Sequence, residues 1–316
     1  MFVGTCIIPS TAQDTEKPLP TSRGNWLYVG GSGPGNYTRI QDAINASSDG
    51  DTVFVYDDSS PYYENIIINK SINLIGENKT NTVIVGLGNE NDFSICIMAD
   101  NVNVSNFNIR NPNGYIGIGI YSDFNIIKNN IISNFSYGYG EPIALEDAFN
   151  NEISNNIIEN NRHNIALHFS SNNSINNNII RNCNDFFEIG YDSNNNKIFR
   201  NLIKNCSGLY LFSDYNNIYE NSIVHCQRGI LLVGCSGNQI LRNNFLFNPI
   251  DAFFGDSLFN HWLGNYWQRP RILPKVIFGY FTFWRGLYDF ILIPVFRFDI
   301  HPALVPINIQ SEGWDI

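Results

Sequence analysis

An asparagine-rich phrase that recurs along the middle of the chain constrains the fold more than any other feature. Its shared form is N-x-I-x-x-N-x-[IF], and six copies lie between residues 125 and 248. An earlier segment, 104–109, keeps the register with Phe107 in place of the second asparagine. The copies are 20–26 residues apart, counted between their second asparagines Asn130, Asn156, Asn178, Asn201, Asn221 and Asn243. Self-similarity at such a period indicates a solenoid or another repeat array.

A second phrase with the same period lies between the copies, and its apolar residues stand two apart. It occupies residues 117–120, 143–145, 165–167, 187–189, 209–211 and 230–232. Alternation at a period of two is typical of strands, and the polar segments between the phrases are typical of turns. No segment between them is long or periodic enough for a crossover helix, and the leucine phrase of leucine-rich repeats is absent. The sequence therefore predicts an all-β fold, a right-handed parallel β-helix with about 20–26 residues per coil.

Stacking of the coils explains why isoleucine and asparagine are so abundant in the repeat. Equivalent residues of successive coils should stand about 4.8 Å apart, so that inward apolar side chains form columns that no single coil could bury alone. An asparagine that faces inward at a turn can hydrogen-bond backbone groups and the asparagine of the next coil, which gives a ladder. Asparagine also tolerates the left-handed backbone of tight turns. We therefore interpret these asparagines as structural.

Composition and charge narrow the class of protein. The chain has 316 residues, 43% hydrophobic and 15% charged, which is a globular composition with enough apolar residues for a sizeable core. Its formal net charge is -10, and no basic patch is visible. A nucleic-acid partner is not expected, because phosphate backbones require clustered lysine and arginine.

The N-terminal part of the chain precedes the repeat and differs from it. Residues 1–13 resemble the back half of a secretory signal without a positively charged n-region, and we interpret residues 1–25 as a truncated signal-like segment, with cleavage near Ala12, followed by a linker. A disordered N-terminus is the alternative. Residues 38–41 form a capping-box pattern, and Ile40, Ala43 and Ile44 share one helical face. This short helix is predicted to cap the open apolar end of the coils.

The C-terminal part of the chain, residues 268–316, loses the repeat and becomes rich in aromatic residues. A transmembrane helix over residues 276–296 is one interpretation, but Arg285, Asp289 and Pro294 are unfavourable in hydrocarbon. We expect instead a C-terminal cap on the last coil. The side chains expected to pack there are Trp262, Trp267 and Trp284. Peripheral contact with a membrane or cell envelope remains an alternative.

The order of these features resembles the NosD-like β-helix proteins. The capping helix is followed by GDTVFVYDDSSPYYENIIINKSINLIGEN (Gly50–Asn78), by the N-x-I-x-x-N coils and by NHWLGNYW (Asn260–Trp267). The resemblance covers roughly residues 26–267, which we interpret as the β-helix domain. It implies membership of a wider group of carbohydrate-binding proteins and sugar hydrolases with the pectin-lyase-like fold. Some members carry the label of periplasmic copper-binding accessory protein.

Three cysteines occupy one position in successive coils. Cys183, Cys206 and Cys226 each stand ten residues after their phrase begins, and Asn161 and Asn248 hold this position in the neighbouring coils. Stacked neighbours would lie within the range of a disulfide but would orient their Cβ atoms poorly, so we predict small buried side chains. No metal site or cofactor is predicted, because no CxxC or histidine-flanked spacing exists and copper would need a Cys, Met and His cluster.

Candidate site residues follow from the register of the second phrase. Tyr121, Glu146 and His168 align on consecutive coils, and Glu188 lies one coil further, its Cα roughly 8 Å from that of His168. We take Glu146, His168 and Glu188 as candidate catalytic residues, since two carboxylates beside a histidine can divide acid and base roles in glycoside hydrolysis. The candidate substrate-binding residues nearby are Tyr121, Asp147, Asp192, Tyr210 and Phe212. A solvated face of an acidic protein is the alternative interpretation.

The sequence thus favours a secreted, cell-surface or periplasmic monomer that binds carbohydrate on a lateral strand face. The first alternative is a glycoside hydrolase that acts on a polysaccharide through Glu146, Glu188 and His168. A lyase is disfavoured, because no lysine or arginine stacks on that face to abstract a proton. The second alternative is a NosD-like copper accessory protein, with His163 or His168 as a ligand.

Overall fold

The computed structural model describes residues 24–88, 93–136, 140–284 and 290–309. The side chain of Trp284 and all but the end of the predicted signal-like segment lie outside the described residues. Short strands dominate the described chain, and one helix precedes most of them.

In chain order the elements are β1 (Trp26–Val29), α1 (Ile40–Ala46), β2 (Thr52–Val55), β3 (Tyr62–Tyr63), β4 (Ile66–Ile68), β5 (Asn73–Gly76), β6 (Val83–Val85), β7 (Phe93–Ile97), β8 (Asn103–Ser105), β9 (Asn108–Arg110), β10 (Ile116–Ile120), β11 (Ile126–Lys128), β12 (Ile131–Ser133), β13 (Glu141–Glu146), β14 (Glu152–Ser154), β15 (Ile157–Glu159), β16 (Ile165–His168), β17 (Ser174–Asn176), β18 (Ile179–Arg181), β19 (Phe186–Ile189), β20 (Lys197–Phe199), β21 (Leu202–Lys204), β22 (Gly208–Leu211), β23 (Asn217–Tyr219), β24 (Ser222–Val224), β25 (Arg228–Val233), β26 (Gln239–Leu241), β27 (Asn244–Leu246), β28 (Ile250–Gly255), β29 (His261–Leu263), β30 (Tyr266–Trp267), β31 (Lys275–Trp284) and β32 (Phe290–Asp299).

The strands form three sheets that run along the stack of coils. The first sheet has the order β1-β2-β5-β8-β11-β14-β17-β20-β23-β26-β29 and the second β3-β6-β9-β12-β15-β18-β21-β24-β27-β30. The third sheet has the order β4-β7-β10-β13-β16-β19-β22-β25-β28-β31-β32. Strand pairs along the stack are parallel, and β32 returns antiparallel to β31. The predicted right-handed parallel β-helix is confirmed, with about 11 turns.

The core is a set of apolar columns, one per sheet, as the repeat predicts. In the first sheet the central residue of each strand faces inward and pairs in register with its neighbour. One such column is at most 3% exposed and consists of Ile127, Ile153, Ile175, Ile198, Ile218, Ile240 and Trp262. No single coil could bury these residues alone, so their burial depends on the whole stack.

Two asparagine ladders fix the corners on either side of the first sheet. Each asparagine donates its backbone N–H to the side-chain oxygen of the asparagine in the next coil, at 2.8–3.0 Å. The first ladder comprises Asn125, Asn151, Asn173, Asn196, Asn216, Asn238 and Asn260. The second comprises Asn130, Asn156, Asn178, Asn201, Asn221, Asn243 and Asn265. The structural interpretation of the repeat's asparagines is therefore confirmed.

The left-handed corner residue and the ladder residue are separate positions. The residue before each member of the second ladder has a positive φ, as at Asn177 (53°) and Arg200 (54°). Asparagine fills that position in some coils, whereas Arg200, Glu220 and Arg242 fill it in others. The repeat is thus rich in asparagine for two independent reasons, turn geometry and inward hydrogen bonding.

The three stacked cysteines lie at a third corner, where asparagine stands in the coils on either side. Cys183, Cys206 and Cys226 are buried and free, which confirms that they act as small buried side chains. The backbone N–H of Cys226 still donates to the side-chain oxygen of Asn248 at 2.8 Å. A thiol therefore replaces an amide within the ladder, while the hydrogen bond from the Cys226 backbone N–H to the next asparagine is kept.

The N-terminal end of the stack is covered by α1, although its cap differs from the predicted one. The predicted capping box at residues 38–41 is wrong, because Arg39 is the N-cap residue and makes no side-chain cap hydrogen bond. The carboxylate of Glu64 accepts the backbone N–H groups of Ile40 (2.8 Å) and Gln41 (3.1 Å) instead. Glu64 lies in the next coil and is buried, so the coil itself supplies the anion that the helix terminus requires.

The C-terminal end of the stack is capped by a β-hairpin, β31 and β32. A membrane-spanning helix over residues 276–296 is wrong, because the described part of this range is strand, and no helix among the described residues is long and apolar enough to cross a membrane. Asp299 ends the second ladder, since its carboxylate accepts the backbone N–H (2.9 Å) and the side-chain N–H (3.0 Å) of Asn265 and the indole N–H of Trp267 (3.0 Å). Trp262 and Trp267 are buried as predicted.

Candidate functional site

The outward side of the third sheet carries the predicted site residues in two parallel rows. In the first row Gly119 pairs with Ala144, Ala144 with Ala166, and Ala166 with Glu188. In the second row Glu146 pairs with His168. The register predicted from the repeat for these residues therefore agrees with the strand pairing.

Small side chains make the first row the floor of a shallow groove. Gly119, Ala144 and Ala166 face outward, and the two alanines are at most 6% exposed because the larger side chains beside them rise above them. A Cβ atom on Gly119 would stand 2.5 Å from a ring carbon of Phe93, so only glycine fits beside that ring. We call this feature the third-sheet groove, with its floor at Gly119, Ala144 and Ala166.

Aromatic pairs close the third-sheet groove at both ends. Phe93 and Tyr121 meet edge to face at one end, with ring centroids 5.6 Å apart. Phe186 and Tyr210 stack at the other end, with centroids 4.2 Å apart and planes inclined by 7°. The Tyr210 hydroxyl accepts a hydrogen bond from the Arg228 guanidinium at 2.7 Å, which fixes the ring.

Glu141, a residue that the sequence reasoning missed, stands at the start of β13 in register with Ile116 and Phe93. Burial raises the pKa of Glu141 to about 7, and repulsion from Glu188 and then Glu146 adds to the effect. The carboxyl groups of Glu188 and Glu146 are thus close enough to Glu141 to raise its pKa.

Glu188 and His168 converge at the far side of the groove floor. A Cβ atom built on Gly190 would stand 2.9 Å from Nδ1 of His168 and 3.4 Å from Oε1 of Glu188, so both polar atoms lie around the same point. Burial raises the pKa of Glu188, while the charge of His168 lowers it and that of Asp185 raises it. Burial, followed by the charge of Glu146, raises the pKa of Tyr121 to about 12, so its phenol remains a hydrogen-bond donor at neutral pH.

The predicted substrate-binding residues differ in their exposure and in their position relative to the groove. Tyr210 is only 7% exposed, because its ring stacks on Phe186, so it is not a free platform. Asp147 and Asp192 lie in left-handed turns after the strands, with φ of 49° and 54°. Phe212 contacts Tyr191 at a centroid distance of 5.7 Å, beyond the Glu188 end of the groove.

Two more surface features lie outside the third-sheet groove, a polar hollow near it and an aromatic cluster on the first sheet. A polar hollow of about 620 Å³ adjoins the first residues of β16 and β19, and its lining is Ser136, Asn160, Asn161, Arg162, Asn182, Asn184 and Asp185. An aromatic cluster stands on the outward side of β1 and β2, where Trp26 and Tyr28 stack at 6.3 Å and Tyr56 stacks on Tyr28 at 6.0 Å. The sequence offered no repeat-based signal for this cluster, since it precedes the asparagine-rich coils.

Comparison with protein families identifies the chain. The family model described as periplasmic copper-binding protein (NosD) matches residues 35–272, about three quarters of the chain. The chain belongs to the NosD family. No curated protein matches it.

Solved structures similar to this NosD family member share its fold. The enzymatically active domain of bacteriophage CBA120 tailspike protein 2 has a TM-score of 0.59 at 11% identity, over 72% of this chain and 40% of that chain. The Dettilon tailspike protein has a TM-score of 0.53 at 12% identity, over 72% of this chain and 50% of that one. The A-module of the mannuronan C-5 epimerase AlgE4 from Azotobacter vinelandii has a TM-score of 0.50 at 12% identity, over 76% and 83%. The NosD chain thus spans half or less of the two tailspike structures.

The copper in the family's name can be tested against the donors that the fold brings together. Among the described residues no group of three or more His, Cys, Asp or Glu side chains could hold a metal ion. His163 pairs with Asp185 at 3.4 Å, the thiols of the stacked cysteines lie in the core, and Met98 is exposed on another coil. Copper requires cysteine, methionine and histidine side chains together in one cluster. The described residues do not fit a copper site.

Proposed function

We propose that this NosD family protein binds a polysaccharide in the third-sheet groove. The observation that carries the proposal is the floor of Gly119, Ala144 and Ala166, closed by aromatic pairs and bordered by carboxylates. Carboxylates accept hydrogen bonds from sugar hydroxyl groups, and the faces of aromatic rings pack against the C–H groups of sugar rings. The row runs along the stack at about 4.8 Å per coil, so the floor between the aromatic pairs is about 10 Å long and suits a short segment of a sugar chain.

Electrostatics favour a neutral or amine-bearing polysaccharide over a polyuronate. Glu141, Glu146 and Glu188 border the floor, and the chain as a whole has a formal net charge of -10. A polymer of uronic acids would meet carboxylates of like charge, which costs binding free energy in a partly buried site. The proposed preference would distinguish the protein from the structurally similar mannuronan C-5 epimerase.

Similarity to known proteins supports carbohydrate binding in general. The structural neighbours include an enzymatically active tailspike domain and a polysaccharide epimerase on the same fold. The family is described as periplasmic, and an extracellular or periplasmic location would expose the groove to envelope or environmental glycans. A fold shared with such proteins supports carbohydrate binding without specifying it.

Affinity electrophoresis in gels that contain neutral, acidic or amine-bearing polysaccharides tests the proposed binding. We expect retardation of the wild type by at least one neutral or amine-bearing polymer. Ala166→Trp should abolish this retardation, because the indole would fill the floor. Ser174→Trp, outward on the first sheet, is the matched control and should bind as the wild type does.

Equal retardation of the wild type and Ala166→Trp would contradict binding in the groove, as would the absence of retardation by every polymer. Because the new indole could disturb folding, the melting temperature of each variant is measured alongside. A Glu146→Ala/Glu188→Ala variant, which removes the acceptors and adds no bulk, provides a second test of the same surface.

A glycoside hydrolase is the second candidate, and the pKa of Glu141 favours it. A carboxyl group with a pKa of about 7 can donate a proton to a leaving oxygen at neutral pH. Glu146 or Glu188, oriented near His168, would then act as base or nucleophile. Release of new reducing ends by the wild type, lost in Glu141→Gln and in Glu188→Gln while binding is retained, would support hydrolysis. Binding without release would leave a binding protein.

A further inference from the structure

The hairpin of β31 and β32 exposes large apolar side chains on both of its faces. Phe278, Phe296 and Leu292 lie on the face that continues the outward side of the third sheet, whereas Phe281, Phe283 and Ile293 lie on the opposite face. Nine of the hairpin's large apolar side chains are 37–59% exposed: Phe278, Phe281, Phe283, Phe290, Ile291, Leu292, Ile293, Phe296 and Phe298. Only the base of the opposite face is covered, where Ile277 is buried.

The sequence of the two strands is that of a sheet buried on both sides. Within the described strands no charged residue occurs in 276–284 or 290–296. Strands with one solvated face alternate apolar and polar residues, whereas strands covered on both faces read as continuous apolar runs. The composition of the hairpin is therefore that of a sheet covered on both faces, but the coils of the same chain do not cover both faces.

Specific contacts hold the hairpin in this projecting position. The Asp256 carboxylate accepts the backbone N–H (2.5 Å) and the hydroxyl (2.7 Å) of Thr282. At the base, Lys275 pairs with Asp251 at 3.1 Å, and Asp299 is bonded to the last ladder asparagine. The apolar faces are thus fixed as surfaces beside the last coil.

We propose that this hairpin is a self-association surface, covered by the hairpin of a second copy of this chain. At about 200 Å² per phenylalanine side chain, six phenylalanines that are about half exposed present roughly 600 Å². The three aliphatic side chains bring the total over both faces to on the order of 800 Å², so the hairpin of another copy on each face would together cover the area that each partner of a standard-sized protein interface buries. Monomers rarely leave an apolar patch of this size open.

Three features favour packing of one face on another over insertion into lipid or extension of the sheet. The outer edge of β32 ends the third sheet, and unpaired backbone groups are costly in hydrocarbon. The net charge of -10 also gives no attraction to anionic lipid. Pro294, in the middle of the edge strand, lacks an N–H and interrupts pairing with a further strand.

Sedimentation velocity of the full chain at tens of micromolar tests the proposal. We expect a mass of at least two chains for the wild type. The double variant Ile293→Glu/Phe296→Glu, which places one carboxylate on each face, should sediment as a monomer with an unchanged melting temperature. Phe259→Glu is the matched control, because Phe259 is 78% exposed outside the hairpin, and it should keep the wild-type mass.

A monomeric wild type would overturn the proposal, and flotation of that monomer with neutral phosphatidylcholine vesicles would identify lipid as the occupant instead. An oligomer that persists in the double variant would place the interface elsewhere and would also overturn it. If the double variant unfolds, Phe281→Glu alone provides the same test on one face.

Discussion

Two buried carboxylates at opposite ends of the stack supply hydrogen bonds that the repeat cannot. Glu64 accepts the first N–H groups of α1, and Asp299 accepts those of the last ladder asparagine. Asp299 lies where the next coil would otherwise present an amide oxygen. An ionised carboxylate is a stronger acceptor than an amide and leaves no surplus donor behind.

Removal of the Asp299 carboxylate should destabilise the protein strongly. Asp299→Ala leaves Gly264, Asn265 and Trp267 with buried N–H groups that have lost their acceptor. Unpaired buried donors cost about 1–3 kcal/mol each, so we expect a loss of at least about 3 kcal/mol in the free energy of unfolding. Urea denaturation followed by circular dichroism measures it. A loss below about 1 kcal/mol would show that water or another group replaces the carboxylate.

Glu141 should make stability fall with rising pH. Its pKa is about 7 in the folded protein, against about 4.3 in an unfolded chain. Between these values the native state binds more protons than the unfolded state, so stability decreases from about pH 4.3 to about pH 7 and is level above that. Glu141→Gln should therefore be more stable than the wild type at pH 8, by on the order of 1–3 kcal/mol, and equal at pH 4. Thermal melts at both pH values decide it, and a difference independent of pH would contradict the assignment.

The candidate site could be predicted in part from the sequence. Glu146 and His168 share a row because both follow the same apolar phrase, and counting along the repeat is enough to align them. Glu141 lies before its apolar phrase, in a part of the strand whose length varies between coils. Counting along the repeat from the apolar residues therefore does not identify it. The stacking of Tyr210 on Phe186 also depends on rotamers, about which residue spacing carries no information.

At the scale of the coil, each of the two ladder corners on either side of the first sheet combines a left-handed residue with an inward asparagine. Asn177 and Asn178 are adjacent and both asparagine, yet they have different functions. Asn177 has a φ of 53°, whereas the side chain of Asn178 donates to the Ile153 carbonyl at 2.8 Å and accepts from the backbone of Asn156 at 2.9 Å.

This pair gives a matched test of the ladder. Asn178→Ala should lower the free energy of unfolding by about 2–4 kcal/mol, because a buried donor and a buried acceptor lose their partners. Asn177→Gly should change it by less than about 1 kcal/mol, because glycine adopts the same backbone without strain. Equal effects in urea denaturation would mean that turn geometry, and not the ladder, determines the stability of the corner.

The coils were predictable from the sequence, whereas the C-terminal hairpin was not. A 20–26-residue period with alternating apolar residues admits few folds, and strand boundaries follow from the turns. The apolar run after residue 275 has no period, and such a run does not distinguish a helix from a strand covered on both faces. The assignment of this run as strand becomes evident only in the structure, where β31 pairs with β28.

At the scale of the whole molecule, the stack presents three long lateral faces. These faces differ from one another only where the sequence departs from the repeat. On the third sheet the departures are small residues in one row and carboxylates beside it, and these define the third-sheet groove. On the first sheet they are the aromatic residues Trp26, Tyr28 and Phe54 at the N-terminal end. Either surface offers aromatic contacts to a sugar chain, so the proposed location of the ligand needs a direct measurement.

Hydroxyl-radical footprinting read by mass spectrometry, with and without the polysaccharide that best retards the protein, tests the groove most directly. We predict protection of residues 93–97, 141–146, 165–168 and 186–189 on the third sheet, with residues 26–29 and 52–56 unchanged. Protection confined to residues 26–29 and 52–56, or to neither set, would contradict polysaccharide binding in the third-sheet groove.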